Sequence, residues 1–324
     1  MKPMRKTLAL LLGCVTLAVS TLAGAQTYPN KPVRIIVPFA VGGIADTFAR
    51  VIAQRLSDTY GQPFVVENRG GAGGNIGADL VAKAPPDGHT LVMGNIGTHA
   101  VNPFLMKSTP FDPLKDFVPI AHVLEAEGLL VVHPSLPVKT VPELIKHAKA
   151  NPGKLSYASG GVGTTSHLAG ELFKSMASVQ IVHVPYKGNS PAITDVMGGQ
   201  AQMIFATMPT VIQQAKAGRL RSIAVIGETR SKAIPEAPTI GETLPGFAVS
   251  NWIGLFAPAG TPPEIVARLN ADVQKIMQAP DVEQRLEAQG SKFVPTTPES
   301  FAKFQHSEAE KWGKAIREAG IKPE

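Results

Sequence analysis

A strand-like run that stops at a double glycine constrains this chain more than any other feature of its sequence. Residues Val33–Pro38 are apolar apart from Arg34 and mostly β-branched, Gly42 and Gly43 follow, and a helical pattern begins at Ile44. Such a junction turns a helix N-terminus toward the space beyond the end of the strand. Because the first N–H groups of a helix lack partners and carry partial positive charge, the junction predicts a site for a small anion.

Strand-like and helix-like segments alternate along most of the chain. The helical spacing of apolar residues over Ile44–Tyr60 is followed by a strand-like run at Phe64–Glu67, a short helical pattern over Asn75–Ala84 and a further strand at Thr90–Gly94. This βαβαβ order is typical of a parallel sheet with helices on both faces. We therefore expect the α/β class, with two parallel or mixed sheets flanked by helices.

The order of the segments predicts two lobes. A second α/β series occupies 127–249, and a third region follows it with several amphipathic helices. Those helices need a sheet to cover, and the first α/β half can supply it. We expect lobe 1 to comprise 26–126 and 250–324 and lobe 2 to comprise 127–249, so that the chain crosses between the lobes twice and forms a hinge.

Two segments of the same type predict helix starts. Thr140-Val141-Pro142-Glu143 and Thr261-Pro262-Pro263-Glu264 both place a threonine three residues before a glutamate. This spacing is that of a capping box, in which the threonine side chain accepts a hydrogen bond from the glutamate N–H. We expect a helix to begin at each of them.

Residues 1–25 have the pattern of a secretory signal peptide. A basic start is followed by an apolar stretch over Leu8–Leu22 and by the small residues Ala23-Gly24-Ala25. The alternative is lipoprotein cleavage at Cys14, which is the only cysteine. Cleavage after Ala25 leaves a chain without disulfides or thiol nucleophiles, and we expect that chain in the periplasm.

Composition excludes several function classes. The formal net charge of +6 includes three cations of the leader, and no dense basic run with interleaved aromatic residues is present, so nucleic-acid binding is not expected. No Gly-x-Ser-x-Gly motif occurs, and the histidines lack metal-ligand spacing with a partner acid. We predict no catalytic residue, no metal and no cofactor.

Two glycine-rich loops are the candidate anion sites. Loop 1 is Phe39–Asp46, and loop 2 is Ser159–His167, whose small and hydroxyl-bearing residues offer N–H and O–H donors. Neither loop contains an arginine, so we expect neutral donors and water to hold an anion. The segment Gly71–Gly77 resembles a dinucleotide motif incompletely and is interpreted as a structural turn.

Several long motifs occur together in a characteristic order. They are Val33–Asp46, Glu67–Ala78, Pro86–Leu91, Tyr186–Gly188 and Leu255–Pro262. With them the chain resembles the tripartite tricarboxylate transporter substrate-binding proteins, often called Bug receptors, over essentially its whole mature length. The resemblance implies a periplasmic binding protein of the two-lobed, type II-like fold. Such a receptor closes around a small organic acid, delivers it to a membrane permease and has no catalytic residue.

The resemblance also implies which residues meet the ligand, since the family grips a carboxylate between two facing loops. The candidate ligand-binding residues are Phe39, Ala40, Gly42, Gly43, Ile44, Ala45, Asp46, Ser159, Gly160, Gly163, Thr164, Thr165, Ser166, His167, Tyr186 and Ala206. The chain has Ala206 and Gln202 where acidic residues are common in the family. A missing carboxylate favours an acid without an amine.

Two functional alternatives remain open on the sequence. A receptor could present its ligand to a sensor protein instead of a permease, and a secreted enzyme could act on a carboxylate. Dicarboxylates, tricarboxylates, aromatic acids and amino acids all remain candidate ligands. We expect a monomer.

Overall fold

The computed structural model describes residues 28–318 and residue 323, so the predicted signal peptide, residues 1–25, lies outside the described residues. Strands and helices are numbered along the chain. One mixed sheet contains β1 (Val33–Val37), β2 (Phe64–Asn68), β3 (Thr90–Asn95), β4 (Phe117–Ala126), β10 (Asn251–Pro258) and β11 (Ser291–Lys292). The other contains β5 (Gly128–Val132), β6 (Ser156–Ser159), β7 (Val182–Pro185), β8 (Met203–Thr207) and β9 (Arg221–Val225).

Helices connect and cover these strands. The α-helices are α1 (Ile44–Tyr60), α2 (Asn75–Ala82), α3 (Asn102–Leu105), α4 (Val141–Ala150), α5 (Thr165–Ala177), α6 (Asn189–Met197), α7 (Met208–Lys216), α8 (Pro263–Met277), α9 (Pro280–Glu287) and α10 (Pro298–Glu318). Shorter 3₁₀ or π turns lie at Ala72–Gly74, Gly97–Val101 and Ile240–Glu242. Within the described part of the chain, no helix is long and apolar enough to cross a membrane.

The first sheet has the strand order β11-β4-β10-β3-β1-β2. Its β1 pairs in parallel with β2 and β3, as the βαβαβ pattern predicts. However, β10 runs antiparallel between β3 and β4, so the sheet is mixed, which confirms the expectation of parallel or mixed sheets. The sequence does not reveal the direction of β10, because this strand is reached from the other sheet and not through a crossover helix.

The second sheet has the order β7-β6-β8-β5-β9 and is mixed as well. Its β6 lies parallel to β7 and β8, whereas β5 runs antiparallel to β8 and β9. We call the first sheet with its helices lobe 1 and the second sheet with its helices lobe 2. The strands of lobe 1 come from two separate stretches of chain and those of lobe 2 from one, while the boundaries at 126/127 and 249/250 stay predictions.

The chain passes between the lobes next to Glu127. The Glu127 N–H donates to Gly290 O of lobe 1 at 2.9 Å, and Glu127 O accepts from the Met208 N–H of lobe 2 at 2.7 Å. At the return crossing, the Val249 N–H donates to Ile226 O at 2.9 Å. Backbone hydrogen bonds therefore tie both crossings to folded elements.

Apolar residues fill both faces of each sheet. One face of lobe 1 packs against α1 and α8 through Phe48, Ile52, Leu269 and Val273. The opposite face belongs to a buried cluster that continues into lobe 2 and includes Trp252. A separate cluster covers the remaining face of lobe 2. Hydrophobic burial stabilises both lobes.

The two predicted capping boxes have different outcomes. Thr140 is the N-cap of α4, where its side chain accepts a hydrogen bond from the Glu143 N–H at 3.3 Å. The prediction for Thr261 is wrong, because its hydroxyl donates to Pro258 O at 2.8 Å and Pro262 is the N-cap of α8. The Thr261 hydroxyl is thus hydrogen-bonded within the turn that follows β10 and does not cap α8.

Candidate functional site

Four helices begin at the carboxyl ends of four strands and face one space between the lobes. Helix α1 follows β1 in lobe 1, while α5, α6 and α7 follow β6, β7 and β8 in lobe 2. No side chain caps these four helix starts in the described structure. The first N–H groups of α1, α5 and α6 therefore remain available to another acceptor. In α7 the Met208 N–H donates to Glu127 O instead, and Pro209 has no N–H.

The space between these helix starts is a cavity that is partly open to solvent. Lobe 1 lines it with Phe39, Ala40, Gly43, Ile44, Ala45, Asn95, Asn251 and Ile253. Lobe 2 lines it with Gly160, Thr164, Thr165, Ser166, Gly188, Asn189, Ser190, Thr207 and Thr210. None of these lining residues carries a formal charge.

Loop 1 is held by a buried carboxylate behind the cavity wall. The Gly42 N–H donates to Asp46 Oδ2 at 2.9 Å, and the backbone of Gly42 has a φ of +81°. Arg50 and Asn68 also donate to the Asp46 carboxylate, at 2.9 and 3.0 Å. Burial alone would raise the pKa of Asp46, but hydrogen bonds from Arg50, the Gly42 N–H and Asn68 hold that pKa below its usual value. Asp46 thus stays ionised and shapes loop 1.

Loop 2 is held by hydroxyl groups. The Gly160 N–H donates to Ser166 Oγ at 2.9 Å, and the Thr164 hydroxyl donates to Gly161 O at 2.7 Å. The hydroxyls of Thr164 and Ser166 lie 3.0 Å apart. Both hydroxyls border the cavity, so the side chains that shape this loop can also meet a ligand.

Two stacked histidines support loop 2 from beneath. The rings of His167 and His183 are 4.3 Å apart between centroids and inclined by 20°. His167 Nδ1 accepts from the Gly163 N–H at 3.1 Å, and His183 Nε2 lies 2.6 Å from Ser159 Oγ. Burial, reinforced by the neighbouring His167, lowers the pKa of His183 to about 4. His183 is therefore neutral at ordinary pH.

Nine of the sixteen candidate residues from the sequence line the cavity, namely Phe39, Ala40, Gly43, Ile44, Ala45, Gly160, Thr164, Thr165 and Ser166. The other seven lie outside the lining, namely Gly42, Asp46, Ser159, Gly163, His167, Tyr186 and Ala206. The first five of these seven brace the two loops. The Tyr186 hydroxyl donates to Asp195 at 2.7 Å, and Ala206 is buried in β8. A direct ligand contact by any of the sixteen stays a prediction.

Sequence reasoning left several lining residues out of the candidate set. Gly188, Asn189 and Ser190 open α6, and Thr207 and Thr210 open α7. The rule that directed attention to loops 1 and 2, a helix start after a strand, could have found these five. Asn95, Asn251 and Ile253 carry no such signal in the sequence.

Comparisons with known proteins identify the family. A family model described as a tripartite tricarboxylate transporter family receptor matches residues 48–321. The chain belongs to this receptor family. Receptors of the family are periplasmic, and they bind solutes without catalysing a reaction. The resemblance inferred from the sequence motifs is thereby confirmed.

Individual similar proteins match this chain over nearly its whole length. The chain is similar to the protein BugT of Bordetella pertussis, with 38% identity over 309 residues that cover 95% of each protein. It is similar to the structure of R. palustris Rpa4515 with adipate, with a TM-score of 0.88, 38% identity and coverage of 92% of this chain and 100% of that one.

A further similar structure is MatC from Rhodopseudomonas palustris with bound malate. Its TM-score is 0.85 and its identity is 34%, with coverage of 89% of this chain and 100% of that chain. These similarities confirm the two-lobed fold of a periplasmic binding protein. They also confirm that this tripartite tricarboxylate transporter receptor belongs to a class that binds small carboxylates.

Proposed function

We propose that this receptor captures a small organic acid in the cavity between its lobes, with dicarboxylates as the first candidates. The observation that carries the proposal is the convergence of four helix starts without side-chain caps, from both lobes, on one cavity without charged lining residues. Each helix N-terminus carries about half a positive charge and attracts an anion by ~0.3–1 kcal/mol, or more where it is buried. The similar structures with adipate and malate support the same ligand class.

The lining gives each end of such an acid its own donors. One carboxylate would meet the first N–H groups of α1 together with the Ser166 hydroxyl, since the Thr164 hydroxyl already donates to Gly161 O. The other end would meet the Thr207 hydroxyl at the start of α7, since the Thr210 hydroxyl already donates to Thr207 O. Hydrogen bonds to a charged acceptor are shorter and stronger than neutral ones, so neutral donors are sufficient to hold carboxylates.

Because no acidic residue lines this cavity, ligands that carry an amine are disfavoured. An amino acid would place an ammonium group in the cavity, where neither an aspartate nor a glutamate lines the wall. A buried ammonium without a negative partner is costly. The receptor should therefore prefer acids without an amine, in agreement with the presence of Ala206 at the end of β8.

The remaining parts of the proposal concern export and delivery. Residues 1–25 would direct the chain to the periplasm as a signal peptide, and the receptor, a monomer, would pass its ligand to the membrane permease of a tripartite transporter. The family assignment supports both steps. The competing assignment is presentation of the ligand to a sensor. Deleting the gene and measuring uptake and gene induction in parallel distinguishes the two, because loss of uptake indicates a permease partner and loss of induction indicates a sensor.

The decisive experiment is calorimetric titration of the mature protein with adipate and malate, using the dimethyl ester of each acid as the matched control. The esters keep the carbon skeletons but remove both negative charges. We expect binding of at least one acid, no binding of its ester, and recovery of the acid chemically unchanged. Equal binding of acid and ester, or turnover of the acid, would contradict the proposal.

A further inference from the structure

Behind the ligand cavity, the backbone of loop 2 reaches lobe 1 at a second place. Gly97 opens the π turn that follows β3, and a Cβ atom added to Gly97 would overlap Gly163 O of lobe 2. A Cβ atom added to Gly73 would overlap Val162 O in the same way. Backbone from the two lobes thus meets at a distance that leaves no space for a side chain at either glycine. None of these four residues lines the ligand cavity.

A buried amide joins the two lobes at this contact. Asn102 is completely buried, and its amide, oriented with the nitrogen toward the carbonyl oxygens, lies 3.1 Å from Gly97 O and 3.3 Å from Gly163 O. One side chain of lobe 1 therefore binds a carbonyl of its own lobe and a carbonyl of the other. Met106 completes the contact, since its Cε would lie 3.0 Å from a Cβ added to Gly163.

We propose that Gly73, Gly97 and Asn102 form a closure seat, a surface of lobe 1 that receives Val162–Gly163 when the cleft closes and that positions loop 2 against the ligand. The proposal deepens the proposed function and rests on it. Gly163 is rigidly connected to the cavity, because its N–H donates to His167 and because Thr164 and Ser166 follow within three residues. The depth at which Gly163 is seated therefore sets how closely the loop 2 hydroxyls approach a ligand held on loop 1.

The closure seat also gives a function to the glycine segment Gly71–Gly77, which the sequence presents only as a turn. Gly73 has a φ of +62° inside this segment, and the turn carries it to the lobe 2 backbone. Contacts that exist only in the closed state shift the population toward that state. The seat is thus a positioning element for binding, and we expect it to act on closure and ligand dissociation more than on folding.

The sharpest test is the variant Gly97→Ala. Gly97 has no left-handed φ, and the atom of its own lobe nearest to an added Cβ is Asn95 Oδ1 at 3.2 Å. The overlap is instead with Gly163 O, so the variant should fold normally and close incompletely. With adipate and malate as the probes, we expect Kd to rise roughly tenfold, mainly through faster dissociation. The compaction measured by small-angle X-ray scattering on ligand addition should decrease.

Gly227→Ala is the matched control for this result, and Asn102→Asp is a second test of the closure seat. In Gly227→Ala the added Cβ meets only Val225 Cγ1 at 3.9 Å, so binding and compaction should match the wild type. Asn102→Asp keeps the shape of the side chain but cannot donate to the two carbonyl oxygens, so it should reproduce the Gly97→Ala phenotype without adding an atom at the contact.

The outcomes separate the closure seat from the ligand assignment. Unchanged Kd, dissociation rate and compaction in folded Gly97→Ala and Asn102→Asp would overturn the seat and leave the proposed function intact. If wild-type protein binds neither acid, the proposed ligand class fails. In that case spin labels on the two lobes still test the seat, because both variants should lose the short interlobe distances of the wild type, and identical distance distributions would overturn it.

Discussion

The two anion loops begin in the same way and are held in different ways. Loop 1 is held by an ion pair, in which the Asp46 carboxylate joins the Gly42 N–H to Arg50 and Asn68. Loop 2 is held by neutral groups, namely hydroxyls and two stacked imidazoles. The same strand–glycine–helix pattern is therefore compatible with a charged or a neutral set of supporting hydrogen bonds. The side chains behind the cavity determine which of the two a loop has.

The difference has a thermodynamic meaning. Asp46 is buried and accepts from three groups, so its removal leaves the Gly42 N–H and the Asn68 amide without their acceptor. Removing a single neutral hydrogen bond costs about 0.5–1.5 kcal/mol. Loop 1 should accordingly be the more sensitive of the two to substitution of its brace. Loop 2 should be the more sensitive to mild acid, because its brace contains histidines.

The largest effect is expected for Asp46→Ala in loop 1. The variant removes the acceptor of the Gly42 N–H and leaves Arg50 without its carboxylate, so unfolding free energy should fall by ~1–3 kcal/mol and the Kd for the acid should rise at least roughly tenfold. Chemical denaturation and calorimetric titration measure the two effects. Asp46→Asn, which retains an acceptor oxygen, should lie between the variant and the wild type; full affinity in Asp46→Ala would show that the brace is dispensable.

A smaller effect is expected for Ser159→Ala in loop 2. This hydroxyl accepts from the Gly161 N–H at 3.1 Å and contacts His183, and its loss removes only neutral hydrogen bonds. Ligand affinity should fall by a factor of about five, as for a loss of ~1 kcal/mol. Ser156→Ala, at the opposite end of the same strand, is the matched control. A loss as large as that of Asp46→Ala would remove the contrast between the loops.

The response to acid distinguishes the two loops in a third way. Because burial and His167 lower the pKa of His183 to about 4, the unfolded chain binds this proton more readily than the folded chain between pH 6.5 and 4. Stability should therefore fall as the pH falls through that interval. The pKa of Asp46 lies below its usual value, so loop 1 should lose its charge only in stronger acid.

Melting temperatures recorded at several pH values test this order. His183→Gln should show a smaller decrease between pH 6.5 and 4 than the wild type, whereas replacing the exposed His306 by glutamine should leave the decrease unchanged. Identical curves for His183→Gln and the wild type would mean that the histidine stack does not account for the acid response.

The sequence predicts the loops well because strand, glycines and helix start are contiguous within each. It does not predict Asn95 and Asn251 as neighbours in the cavity wall. Asn95 lies opposite Ile253 in the antiparallel pairing of β3 with β10, across more than 150 residues of chain. Nothing local encodes that pairing, since it depends on β10 inserting between β3 and β4.

The failed prediction at Thr261 has a related cause. The spacing of threonine and glutamate is local, but the position of the threonine is set by the end of β10, where its hydroxyl is already bound to Pro258 O. The same reasoning applies to Asp46. Its place in the first turn of α1 is visible in the sequence, but its partner Asn68 arrives at the end of β2 through the tertiary fold.

The insertion of β10 also bears on the order in which the chain can fold during synthesis. Every strand of lobe 2 lies within 128–225, so that sheet can form as soon as this stretch is available. Lobe 1 has to wait for residues 251–258 to fill the gap between β3 and β4. Pairings of such long sequence separation form slowly. The first half of the nascent chain should therefore stay incompletely folded until most of the protein has been made, which prolongs the interval in which an unfolded-chain translocase could accept it.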